Sequence, residues 1–140
     1  MSTIIMLSKR RSFFGFDQHD KEWRTRSVQA QRTRLGSGNV RLPDVSVFPR
    51  DLPIEQVYTR PQLIAVEVLS PEDRQSRVQE RIADYIDFGV ANIWFIDPKK
   101  RIGWDCTSGD WIRKDLFEVE TTPIYLALDE LFRQVDTNDE

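Results

Sequence analysis

Residues 61–70 read PQLIAVEVLS: a single carboxylate, Glu67, stands among Leu63, Ile64, Ala65, Val66, Val68 and Leu69. Apolar residues at both parities predict a strand over 62–69 that is covered on both faces and is therefore central in its sheet. Alternation puts Leu63, Ala65, Glu67 and Leu69 on one face and Ile64, Val66 and Val68 on the other. A charge in such a strand is costly unless something binds it.

Downstream, SPEDR reads as a helix opening. Ser70 suits the cap, Pro71 the first helical position, and Asp73, three residues after Ser70, completes a capping-box pattern with Asp in place of Glu or Gln. Val78, Ile82, Tyr85, Ile86 and Phe88, spaced by threes and fours, predict one apolar face of a helix that runs to Phe88 and stops at Gly89. NIWFID at 92–97 reads as the next strand, with Asp97 closing it by a side-chain to backbone bond before Pro98. RIGWDC and WIRKD, separated by the TSGD turn, continue it as an antiparallel meander, Trp104 and Trp111 clasping the hairpin.

Upstream, residues 27–35 and 40–48 read as strands joined by the GSGN turn, with Pro43 at an edge or bulge. Residues 49–61, with three Pro, read as a surface connection. The segment 123–132 reads as a short strand merging into one helical turn, with Leu128, Leu131 and Phe132 inward and a frayed end beyond. Strand, helix, strand and hairpins together predict an α/β fold, a mixed central sheet flanked by helices.

A chain of 140 residues suits one domain with one core. The expected division is a basic N-terminal arm or partial first element over 1–26, the domain proper over 27–132, and an acidic tail over 133–140. The composition, 39% apolar and 31% charged, excludes a disordered chain. No long apolar span or signal-peptide pattern is present, which predicts a cytoplasmic protein without membrane association. Cys106 and His19 are the sole residues of their types. Cysteine and histidine metal chemistry is thereby excluded, and any ion would be a hard cation held by oxygens. The net charge of −3 argues against broad coating of DNA, though not against a local basic cleft.

A second acid, Asp44 in LPDVSVF, occupies a comparable position. If strands 40–48 and 62–69 are adjacent and antiparallel, Asp44 and Glu67 share a cavity, and a magnesium or manganese ion is one physical reason for two carboxylates to converge. The other reading is that Asp44 caps a turn while Glu67 pairs with an Arg. Arg74, Arg77 and Arg81 share a helix side. Arg81 can reach back over the sheet to balance the acids or hold a phosphate, and the alternative for all three is a solvated face paired with Glu80, Asp84 and their neighbours. Tyr85 is read as structural, its hydroxyl within reach of the same cavity.

LPDVSV, PQLIAVEVLSPEDR and YIDFGVANIWFIDP together resemble the restriction-endonuclease-like domain family abundant in cyanobacteria, formerly a domain of unknown function, of the PD-(D/E)XK nuclease superfamily. The resemblance covers residues 27–132 and implies a restriction-endonuclease-like fold with a shortened N-terminal region. It also implies a magnesium-dependent endonuclease that hydrolyses DNA phosphodiester bonds, commonly as a homodimer. By that resemblance Asp44 and Glu67 are the magnesium or manganese ligands, Leu69 matches an apolar position, and Arg81 stands where the family's Lys is expected. Arg81 then completes the catalytic set, with Arg74 and Arg77 as phosphate contacts. Arg77 stands where the family commonly has Asp, and Glu22 is the candidate for a further acid. These two Arg departures make the alternative reading a catalytically impaired or inactive member serving as a DNA-binding or protein-interaction module.

Overall fold

A computed structural model describes residues 16–30, 32–35 and 38–138; the readings made for residues 1–15, and for Gly36 and Ser37 of the turn, lie outside the described residues. After a short 3-10 turn, Phe16–His19, come α1 (Asp20–Trp23), β1 (Thr25–Gln29), β2 (Thr33–Arg34), β3 (Val40–Arg41), β4 (Val45–Pro49) and β5 (Ile64–Val68). The chain continues through α2 (Gln75–Phe88), β6 (Asn92–Asp97), β7 (Ile102–Asp105), β8 (Ile112–Lys114), β9 (Leu116–Glu118), β10 (Tyr125–Ala127) and α3 (Leu128–Asn138).

The main sheet has the order β1-β4-β5-β6-β7-β8. Only β5 and β6 run parallel, joined by the α2 crossover, whereas the other pairings are antiparallel. This is the expected mixed sheet, with β5 and β6 at its centre and the β6-β7-β8 meander at one side. Two short pairs, β2-β3 and β9-β10, stand beside it.

Each face of the sheet carries its own apolar layer. On one side Val78, Ile82 and Tyr85 of α2 pack on Ala65, Ile93 and Phe95. On the other, Val66, Trp94 and Ile96 meet Phe117, Leu126 and the α3 residues Leu128, Leu131 and Phe132. Burying a Leu, Ile or Phe side chain is worth roughly 1.5–3 kcal/mol, so both layers anchor β5 and β6 strongly.

Several boundaries differ from the sequence reading. The 27–35 strand is interrupted at Ala30, which adopts a left-handed φ of 49°, and the 40–48 strand is broken at Leu42–Asp44, leaving β3 to pair only with β2. Leu63 precedes β5 proper and packs with the opposite layer from Ala65. Helix α2 starts at Gln75: residues 70–73 form a turn instead, closed by the Asp73 N–H donating to the Ser70 carbonyl at 3.0 Å. Ile86 is 41% exposed, since the inward stripe closes with Tyr85. The Gly89 stop is as expected, with φ of 100° and its N–H on the Tyr85 and Ile86 carbonyls. Helix α3 runs on to Asn138, past the single turn expected, with Leu128, Leu131 and Phe132 buried at its start. Asp97 closes β6 by accepting the Lys99 and Lys100 N–H groups, and Trp104 and Trp111 meet edge to face at 5.3 Å. Among the described residues no helix is long and apolar enough to cross a membrane.

Gly103 in β7 has no room for a side chain against the second layer: an added Cβ would come within 2.9 Å of Ile96 Cδ1 and of Phe117 Cζ. Gly103→Val is expected to destabilise the fold by about 2 kcal/mol, measured as a lower urea midpoint at unchanged slope, with Gly103→Ala intermediate.

Candidate functional site

Strand β5 carries Glu67 on the α2 side, and its carboxylate is almost fully enclosed, at 2% exposure. The β4–β5 ladder pairs Val45 with Val66, so the next step brings Asp44 beside Glu67. The contact is direct. The Asp44 N–H donates to Glu67 Oε1 at 3.3 Å, and Asp44 Oδ2 accepts the Val68 N–H at 2.6 Å. Asp44 therefore binds across the strands rather than capping a turn after Pro43.

Helix α2 supplies the remaining partners from successive turns. Tyr85 donates its hydroxyl to Glu67 Oε2 at 2.8 Å, and Arg81 Nη1 reaches the same oxygen at 3.5 Å. The other end of the guanidinium, Nη2, lies 3.3 Å from Asp73 Oδ1. The guanidinium carbon also sits 5.8 Å from the Phe95 ring centre, a cation–π position. Its side chain is 22% exposed, whereas Arg74 and Arg77 are open to solvent. Arg74 lies just outside the helix in an extended conformation, so the three Arg do not act as one line.

The electrostatics follow from this enclosure. Burial pushes the Glu67 carboxyl up from 4.5 to about 7, and the neighbouring Asp44 charge adds to the rise, while Arg81 and the Tyr85 hydroxyl oppose it. Asp44 is raised as well, by burial first, with the Val68 N–H and Arg81 acting against it and Asp73 acting with it. The Tyr85 phenol is held well above its usual range by burial and by the Glu67 charge, so it serves as a hydrogen-bond donor and not as a base. Near neutrality the two acids are poised to take up a positive charge.

Glu22 does not join them. It pairs with His19 at 2.9 Å, on the turn and helix that precede β1, where His19 stacks on Trp23. Among the described residues no group of three or more His, Cys, Asp or Glu side chains is arranged to hold an ion.

Residues 8–129 match the family described as "Uma2: Putative restriction endonuclease". The chain belongs to this family. A structure described as "a putative nuclease belonging to DUF820", from Anabaena variabilis ATCC 29413, superposes with a TM-score of 0.70 at 19% identity, over 91% of this chain and 79% of that one. At that identity the likeness is one of fold. No curated protein matches. The Uma2 match and the mixed sheet together are consistent with the PD-(D/E)XK nuclease superfamily.

Two features of this Uma2 chain escaped the sequence reading. Asp73 makes the bond that the capping-box pattern expects, its Oδ2 accepting the Ser70 N–H at 2.9 Å, but in a turn ahead of the helix, and its other oxygen faces Arg81, which the pattern does not indicate. Asp84 was assigned to the surface Arg of its own helix. It instead accepts from Arg41 Nε at 3.0 Å, tying the β2–β3 hairpin to α2. Sequence spacing gave no signal for the second pairing, whereas Asp73 lies eight residues before Arg81, about two helical turns, and a turn leading into the helix brings it within reach.

These shifts set the pH response of the ion-free protein. Native Glu67 keeps its proton to about pH 7, whereas the unfolded chain releases it near 4.5. Between those values the folded state binds the extra proton, so stability falls as pH rises, by about 3 kcal/mol in all, and is level above. Urea denaturation at pH 4.5, 6 and 8 in chelator is expected to trace this decline, and Glu67→Gln is expected to remove most of it.

Proposed function

We propose that Asp44 and Glu67 hold one magnesium or manganese ion and that the domain hydrolyses DNA phosphodiester bonds. The observation that carries this reading is the approach of two carboxylates across β4 and β5, with Glu67 buried and its proton affinity raised by the Asp44 charge beside it. The donor set fits: both ligands are hard oxygens, and magnesium is commonly held by one or two carboxylates while keeping several waters. Bound there, the ion would supply Lewis-acid polarisation of the phosphate and activate a water for attack.

The protein's own residues do the rest. Asp44 is oriented by the Val68 N–H, and Glu67 by the Asp44 N–H and the Tyr85 hydroxyl, so neither ligand has to be ordered when the ion arrives. Arg81, close to both acids, stabilises the added negative charge on phosphorus as the water oxygen bonds to it and the bond to the leaving oxygen breaks. A guanidinium does not exchange protons near neutrality, so solvent takes the proton of the attacking water and supplies one to the leaving oxygen. A cleft of about 300 Å³ lined by Leu69, Ser70, Asp73, Gln75, Asp97 and Trp111 opens at the C-terminal ends of β5 and β6. Arg74 and Arg77, exposed at the start of α2, are the proposed contacts for flanking phosphates, and a homodimer is the proposed form on duplex DNA.

A second reading, an impaired member retained as a DNA-binding or protein-interaction module, is favoured by one observation: Arg81 already occupies an edge of Glu67. The two readings separate by experiment. For the nuclease, calorimetry is expected to detect manganese binding that is lost in D44A and E67A, and the protein is expected to nick supercoiled plasmid with magnesium, falling by at least about 100-fold in E67A. Equal nicking by wild type and E67A would show the activity to be foreign to this site. Manganese and DNA binding without nicking would favour the module.

A further inference from the structure

Asp73 holds no ion and no phosphate in the mechanism above, yet its carboxylate is tied down at both oxygens. Its turn fixes it twice: the Asp73 N–H donates to the Ser70 carbonyl, and Asp73 Oδ2 accepts the Ser70 N–H. That leaves Oδ1 aimed at Arg81 Nη2, 3.3 Å away, while Nη1 stands 3.5 Å from Glu67 Oε2. The contact to Glu67 is at the outer limit of a hydrogen bond. The guanidinium is thus divided between two carboxylates, of which only Glu67 is a proposed ion ligand, and it is held just off that ligand.

We infer that Asp73 is a positioning residue: it draws the Arg81 guanidinium away from Glu67 and so leaves to a divalent cation the side of Oε2 that the Tyr85 hydroxyl does not occupy. This assignment rests on the proposed ion site. Arg81 and the cation compete for Glu67 Oε2, since two positive groups cannot share one oxygen at contact distance without strong repulsion. Asp73 decides that competition by giving the guanidinium a second place to bind. Without Asp73, Arg81 closes on Glu67 as a full ion pair and excludes the ion. With the cation bound, Arg81 rests on Asp73.

The test is a double-mutant cycle read as manganese affinity by calorimetry, with D73N, R81Q and the double variant of the full chain. R81Q keeps most of the stem over Phe95 and loses the charge, and circular dichroism verifies the fold of each protein. D73N is expected to weaken manganese binding about tenfold, the lower end of what partners that orient metal ligands contribute. R81Q is expected to bind more tightly than wild type, and in its background D73N is expected to change affinity less than about threefold. Asp73→Glu, which keeps the carboxylate, is expected to recover part of the loss.

Equal losses from D73N in both backgrounds would mean that Asp73 acts on the ion directly, and the inference fails. Binding that D44A abolishes but D73N leaves unchanged also overturns it, while the ion site of Asp44 and Glu67 stands. If no variant takes up manganese, R81Q included, the ion site itself fails and the inference with it.

Discussion

A carboxylate in the middle of a central strand is the constraint around which this domain is arranged. Glu67 cannot reach solvent even by turning β5 over, because neighbouring residues of a strand face opposite ways and the opposite face of this strand is covered by the Phe117 and Leu126 layer. It must therefore be satisfied where it is, and its partners come from three directions: the Asp44 backbone from the strand beside it, the Tyr85 hydroxyl and the Arg81 guanidinium from the crossover helix. The apolar contacts of Val78, Ile82 and Tyr85 with Ala65, Ile93 and Phe95 hold α2 against the sheet. The polar contacts fix which turn of the helix lies over Glu67.

The same enclosure makes the pair of acids sensitive to whatever positive charge is at hand. A proton, the Arg81 guanidinium and the proposed divalent cation are three ways of neutralising one site, and each would exclude part of the others. The raised proton affinity of both carboxyls and the division of Arg81 between Glu67 and Asp73 are two expressions of that single competition. A Lys in place of Arg81 would present one compact ammonium to the acids, whereas a guanidinium can bind two carboxylates through separate nitrogens. This is the physical content of the departure at this position from the Lys expected by family resemblance.

Much of this was legible in the sequence. Apolar residues at both parities around Glu67 marked β5 as central, the spacing of Val78, Ile82 and Tyr85 marked the buried side of α2, and Gly89 marked its end. The convergence of Asp44 and Glu67 needed only adjacent antiparallel strands, as the β4–β5 register has them. What was not legible depends on tertiary competition for local signals. Ser70 to Asp73 carries every mark of a helix start, but those residues make a turn whose carboxylate is needed by Arg81. Ala30 takes a left-handed conformation where alternation suggested a continuous strand. Asp84 pairs with Arg41 across 43 residues of sequence, a distance over which periodicity carries no information.

The most direct measurement is a crystal soaked in manganese and examined by anomalous scattering at the manganese edge. The account predicts one peak within about 2.5 Å of carboxylate oxygens of both Asp44 and Glu67, with Arg81 turned fully to Asp73. A well-ordered pair of carboxylates with no peak at saturating manganese, and Arg81 still on Glu67, would contradict it.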